Sequence, residues 1–230
     1  MKKPRGFTFF AFVISAAIIT VGCSKENSVF TDDDQKKSAH SLSEEFCDLN
    51  CLLVAPEVVT PEEVEMLKYM REEEKLARDV YLKFSDYKLP VFKNISASEQ
   101  IHMDRVLCLL VHYNIDDPAS PEIGVFKNQD LQLLYNELTD LGALSLTNAL
   151  YVGATIEDKD ILDINESIDQ TDNNAIITVF TNLLCGSGNH LRAFYALLAL
   201  RGLEYDPQFI SQELLDETIE SEHQYCGADL

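Results

Sequence analysis

Several long stretches of this sequence carry apolar residues at alternating spacings of three and four, and every such stripe is broken by a carboxylate, an imidazole or a hydroxyl. That spacing lays one apolar face along a helix, the face a bundle turns toward its core. The first stripe reads Leu67, Met70, Glu74, Ala77, Tyr81, Phe84, and the second Glu99, His102, Val106, Leu109, Tyr113. The third reads Leu146, Leu150, Gly153, Glu157, Asp160, Ile164, and the fourth Ile176, Phe180, Leu183, Ser187, His190, Phe194, Leu197. Burying an isolated carboxylate costs several kcal/mol, so a core that gathers four of them needs compensating positive charge. Two metal cations would supply it. Carboxylate oxygens with a few imidazole nitrogens suit iron, with manganese as the alternative, and facing helices of a bundle are where such ligands are built.

Each of these residues also has a plainer reading. Glu99 stands three residues after Ser96, the spacing of a capping box at a helix start. His102 and His190 could each be a hydrogen-bonded core histidine. The run Glu72-Glu73-Glu74 could be a solvated face, Glu73 belongs to a competing stripe with Met66, Tyr69, Leu76 and Val80, and Glu157 and Asp160 become surface acids if the third helix is rotated. The metal reading rests on all four helices carrying the right donors at core positions together.

Helix signals are frequent from Thr60 onward, and no run alternates as a strand does, so the domain is expected to be all-α. The first helix is predicted over 60–86, opened by Thr60 and Pro61, and the second over 96–114. A long connection holds a short helix over 129–141. Two more long helices are predicted over 145–167 and 172–202, and a small acidic one over 211–220. Two short connections and one long middle crossover predict an antiparallel four-helix bundle of the ferritin-like kind. One geometric difficulty stands out: with the second helix starting at Ser96, the loop over 87–95 must climb back along the bundle to bring Glu99 level with Glu74.

At the N-terminus Lys2, Lys3 and Arg5 precede an apolar run over 7–21, followed by Gly22 and Cys23. This is the layout of a signal peptide, too short for a membrane span. Thr20-Val21-Gly22-Cys23 resembles the lipobox of bacterial lipoproteins, so Cys23 is the expected lipidation site and the chain is expected to be exported and anchored to a bacterial membrane at the cell envelope. Residues 1–22 are then a leader, 23–56 a polar tether, 57–205 the bundle and 206–230 a C-terminal extension. The formal net charge of -21 becomes more negative when the leader's cations are removed, which argues against nucleic acid as a partner. Cys226 could bridge to Cys47 or Cys51 outside the cytoplasm, whereas Cys108 and Cys185 read as small buried hydrophobes.

The segments REEEKLARDVY (71–81), FKNISASEQIHM (92–103), LYVGATIEDKDILD (150–163) and GSGNHLRAF (186–194) resemble the ferritin-like family called domain of unknown function 2202. Glu74, Tyr81 and the Glu99-x-x-His102 pair are also similar to the first two metal-binding helices of ferritins and rubrerythrins. The resemblance implies that Glu74, Glu99 and His102 hold one metal and that Glu99 bridges to a second held by Glu157 and His190. Ser187 stands where the rubrerythrin pattern has a carboxylate, and Asp160 is the candidate replacement. Gly186 and Gly188 leave either room for a small ligand or space for close helix packing. Tyr81 would be a hydrogen-bond partner or redox neighbour of the metals. The functional expectation is a di-iron oxidoreductase-type protein that reacts with oxygen or peroxide or oxidises ferrous iron. The alternatives are a metal-binding protein without turnover and an anchored interaction bundle whose site is empty.

Overall fold

The computed structural model describes residues 58–226, which are helical with no strand among them. The leader, Cys23, Cys47 and Cys51 lie outside the described residues. The helices are α1 (Pro61–Phe84), α2 (Pro90–His112), α3 (Gln129–Gly142), α4 (Leu146–Asp169), α5 (Asn174–Ala199) and α6 (Gln212–Glu220), with a 3-10 turn at Ser85–Tyr87. No helix among them is long and apolar enough to cross a membrane.

Most helix starts are written in the local sequence. At α1 the Thr60 hydroxyl accepts from the Glu63 amide at 3.2 Å while Glu63 accepts from the Thr60 amide at 2.8 Å, a reciprocal cap that satisfies two otherwise orphaned donors. Asn128, Ser145, Asn173 and Ser211 cap α3 to α6 in the same spirit, each accepting from an amide inside its helix. The start of α2 departs from expectation. It begins at Pro90, six residues before Ser96, and Ser96 lies inside the helix with its hydroxyl donating to the Lys93 carbonyl. Proline at the first helical position needs no amide partner, so α2 starts after Leu89 without a side-chain cap. Residues 90–95 of the expected loop are therefore helix, and these added residues lift Glu99 to the level of Glu74.

Contacts along the long helices fix their directions. Tyr81 meets the ring of Phe92, and Glu74 meets His102, so α1 and α2 run in opposite senses. Glu157 meets His190 and Asp160 meets Ser187, which makes α4 and α5 opposite as well. Tyr81 reaching Glu157 and Lys159 reaching Glu73 set α1 against α4. It follows that α2 and α4 point the same way, and residues 113–145 must carry the chain back along the bundle.

That crossover is held against α1 by buried charges. Glu72 accepts from the amides of Lys127 and Asn128 at 2.6 and 3.0 Å, Arg71 forms a two-pronged pair with Asp117, and Asp79 accepts from the Gly124 amide at 2.8 Å. Gly124 has a φ of 76° and the Tyr135 ring 2.7 Å from where a Cβ would stand, so both backbone and space demand glycine there. Asp158, fully buried in α4, accepts from Tyr205 and from the amides of Gln208, Phe209 and Ile210, fastening the segment that leads into α6.

The apolar core is in two parts. One cluster packs Tyr81, Phe84, Phe92 and Phe194 with Leu150, and the other packs Leu67, Met70, Val106, Leu109, Ile164 and Phe180. The carboxylates and imidazoles of the stripes lie in the helix turns between them, so this polar layer is stoppered by hydrocarbon along the bundle axis.

The cysteine expectations are corrected. Cys226 is bonded to Cys185, with 5.7 Å between Cα atoms, and Cys108 is disulfide-bonded too. Neither Cys108 nor Cys185 is a mere apolar filler. Helix periodicity could not reveal this, because it places Cys185 on α5 without showing that the chain after α6 returns to it.

Candidate metal centre

The core stripes bring Glu74, Glu99, His102, Glu157 and His190 together, and each is buried. They form two overlapping triads, Glu74 with Glu99 and His102, and Glu99 with Glu157 and His190, whose donor atoms within each triad lie within 4.8 Å of one another. Glu99 is common to both. Its Oε2 is 2.8 Å from Nδ1 of His102 and its Oε1 is 2.8 Å from Nδ1 of His190. Glu74 Oε2 approaches His102 Nδ1 at 3.1 Å, and Glu157 Oε2 approaches His190 Nδ1 at 3.3 Å. The two imidazoles stack with centroids 5.4 Å apart. The capping reading of Glu99 is thereby excluded, because the residue sits deep inside α2.

Outside the triads, further groups orient the donors. His190 Nε2 lies 2.9 Å from the Ser98 hydroxyl, and a ring nitrogen engaged there leaves Nδ1 free to offer its lone pair to the centre. Ser98 escaped the sequence analysis because its partner is on α5, a relation that periodicity within α2 cannot express. The Tyr81 hydroxyl donates to Glu157 Oε1 and also lies 3.3 Å from the Gly153 carbonyl. Gly153 makes room for the Phe194 ring, and Gly186 makes room for the His102 ring, whose Nε2 is 2.4 Å from where a Cβ would stand. Gly186 thus packs closely against the His102 ring, and it also lines the open space behind that ring. Gly188 meets only ordinary contacts.

Asp160 stands beside the triads, in neither of them. Its Oδ2 accepts from the Ser187 hydroxyl, which the two stripes place opposite it, and Oδ1 is buried without a hydrogen-bond partner. The run Glu72-Glu73-Glu74 is not a solvated face, for all three are buried and go to different tasks. Glu72 holds the crossover and Glu74 enters the centre. Glu73 pairs with Lys159 at 2.7 Å in a cluster with Tyr69 and Asp163.

The electrostatics are those of an acid-rich chamber. Burial pushes the Glu74 carboxyl up to about 7 even though His102 pulls the other way. Burial and the neighbouring Glu99 raise Glu157, and burial with Glu74 and Glu73 nearby raises Asp160 well above the carboxylate range. Burial also opposes the ionised form of Glu99, yet His190 and His102 beside it outweigh that and hold its carboxyl below the usual range. The histidines show the reverse. Burial opposes their charge, but Glu99 and Glu157 raise His190 to about 10, and Glu74 and Glu99 raise His102 well above its ordinary value. Protons on the two rings thus offset part of the negative charge.

The donor set fits divalent or trivalent cations. Glu74 Oε1 and Glu99 Oε1 are buried with no hydrogen bond, and the near approaches around Glu99 converge on shared points instead of aligning donor to acceptor. Carboxylates with one imidazole per triad match the preferences of iron and manganese, and such ligand sets are built in bundles from facing helices.

The family described as an uncharacterized protein domain, DUF2202, matches residues 63–222. An uncharacterized protein of Methanocaldococcus jannaschii, MJ0754, is 52% identical over 165 residues, which is 71% of this chain and 89% of that protein. The crystal structure of hypothetical protein MJ0754 from Methanococcus jannaschii superimposes with a TM-score of 0.73 at 49% identity, covering 74% of this chain and 99% of that one.

Proposed function

This chain belongs to the DUF2202 family, and we propose that its helices form a ferritin-like bundle whose buried layer binds two iron or manganese ions for redox chemistry with oxygen or peroxide, or for ferrous iron oxidation. The observation that carries this reading is Glu99, a carboxylate that turns one oxygen to each of two histidines and belongs to both donor triads. Glu74, Glu99 and His102 would hold one ion, and Glu99, Glu157 and His190 the other. A bound pair of such ions supplies electrons and polarises a small oxygen ligand. The chain's own part is to fix the donors, to keep bulk water out with the aromatic cluster of Tyr81, Phe92 and Phe194, and to hold a proton on the Tyr81 hydroxyl beside Glu157. Burial and the Glu157 carboxylate raise the Tyr81 hydroxyl well above its ordinary value, which keeps that proton in place at neutral pH. Asp160, tied to Ser187 and beside the triads, would be a further carboxylate available to the ions.

Elemental analysis of protein purified without chelators and reconstituted anaerobically tests the reading. Wild type is expected to hold about two ions per chain, Glu99→Ala to lose both, and His190→Ala to lose mainly one. A folded wild-type protein that takes up neither metal would overturn it. Oxygen or peroxide consumption no faster than that of free iron would leave a metal-binding protein without turnover. The placement at the envelope is a separate proposal resting on the leader, and Cys23→Ala is expected to release the protein from the membrane fraction.

A further inference from the structure

The rear faces of the two imidazoles form part of a cavity of about 550 Å³ between α2, α5 and the segment that follows α6. Ser98, His102 and Arg105 contribute from α2, Asn189 and His190 from α5, and His223 from the returning tail. The tail is a built wall. Asn189 donates to the Gln224 carbonyl at 2.9 Å and accepts from the Gln224 amide at 3.1 Å, and the Cys185–Cys226 bond fastens the next turn of chain. In a chain of formal net charge -21, no carboxylate of the described residues lines this cavity. Arg105 lines it, and its Nη1 is buried without a hydrogen-bond partner.

Among the side chains that line the cavity, Arg105 carries the fixed positive charge, and the acceptors that best match a guanidinium fork are carboxylate and phosphate oxygens. The cavity lies within the roughly 300–1,000 Å³ range of small-ligand pockets. We propose that it is a binding site for a small oxyanion, a carboxylate- or phosphate-bearing molecule, held by Arg105 against the rear of the two imidazoles. The site shares His102 and His190 with the metal triads, from the side away from the carboxylates, and does not require that the triads be filled.

The metal-free full chain is titrated with inorganic phosphate and, separately, with citrate, followed by calorimetry and by the NMR signals of the two imidazole rings. Saturable one-to-one binding that shifts both rings is expected. Arg105→Gln should weaken it at least about tenfold, while Arg201→Gln, at an exposed arginine bonded to the Leu197 carbonyl, should leave it unchanged. Binding of phosphate alone identifies a phosphate-bearing ligand, binding of citrate alone a carboxylate, and binding of both a site for compact oxyanions in general. No saturation by either up to about 10 mM, unmoved ring signals, or equal affinity in Arg105→Gln would overturn the proposal.

Discussion

Lys75 and Asp79 lie on the same helix as Glu74 and are buried as deeply, but their charges are settled inside the protein. Asp79 receives Lys75, Arg78 and the Gly124 amide, while Lys75 also donates to the Glu122 carbonyl and lies over the Phe126 ring at 4.3 Å. Asp158 is satisfied without any cation, by a hydroxyl and three amides. In the layer between the core clusters, Glu74, Glu99, Glu157 and Asp160 face two imidazoles and the neutral hydroxyls of Tyr81 and Ser187, and oxygens of Glu74 and Asp160 are buried without hydrogen bonds. The contrast separates carboxylates that hold the fold from carboxylates waiting for charge. A protein able to satisfy Asp79 and Asp158 so fully does not leave that layer unpaired for want of donors.

The largest expected effect tests this difference directly. Asp79→Ala strands a buried lysine and an amide, and removing one partner of such a pair costs about 3–5 kcal/mol. Glu157→Gln removes a surplus charge and should leave the metal-free protein about as stable as before, or more so, while lowering its metal content. Urea unfolding of both variants in the presence of chelator measures the comparison. Equal destabilisation by the two would mean that the layer, too, is structural.

How much of this contrast was legible in the sequence depends on whether a residue's partner lies on its own helix. The stripes gave Glu74, Glu99, His102, Glu157 and His190 because a buried polar residue at core spacing is visible within one helix. Thr60, Ser145 and the boundaries of α3 and α6 were readable for the same reason. Ser96-x-x-Glu99 misled because the spacing of a capping box also occurs by chance inside a helix, and Leu89-Pro90 starts α2 with no side chain to advertise it. The separate tasks of Glu72, Glu73 and Glu74 were hidden because their partners, the amides of Lys127 and Asn128, Lys159 and His102, come from distant chain. The Cys185–Cys226 bond was hidden likewise.

A second, smaller effect sharpens the comparison through pH. His190 is raised from 6.5 to about 10, so the stability it contributes is fully present below 6.5 and lost as pH rises through about 10. Glu74 is raised from 4.5 to about 7, and its proton stabilises the fold below 4.5 and ceases to do so above about 7. Glu99 is lowered, so above 4.5 it is ionised in both folded and unfolded chains and adds no slope. The metal-free protein should therefore lose stability steadily from mildly acidic to alkaline pH. Metal competes with these same protons, so the stabilisation it confers should grow in that direction. Thermal melts with chelator and with manganese at about pH 6 and about pH 8 would show the gap widening. A gap that is constant or narrows would mean that metal does not displace the protons of this layer.

The smallest effect concerns a residue that no charge balance requires. Ser98 touches His190 only at Nε2, on the side away from Glu99 and Glu157. If the layer were a self-contained structural network like that around Asp79, losing this contact would cost one exchangeable hydrogen bond, about 1 kcal/mol of stability, with no change in metal binding. If His190 is a ligand, Ser98 fixes which nitrogen carries the proton and how the ring faces the centre, and such supporting contacts are typically worth about 10- to 100-fold in metal affinity. Ser98→Ala should accordingly weaken the ion shared by Glu99, Glu157 and His190 by about tenfold, at the low end because Ser98 is only half-buried and water can replace its hydroxyl. The ion held by Glu74 and His102 should be unaffected. Competition with a chelator of known affinity resolves the two ions, and equal weakening of both, or of neither, would place Ser98 outside the support of the second triad.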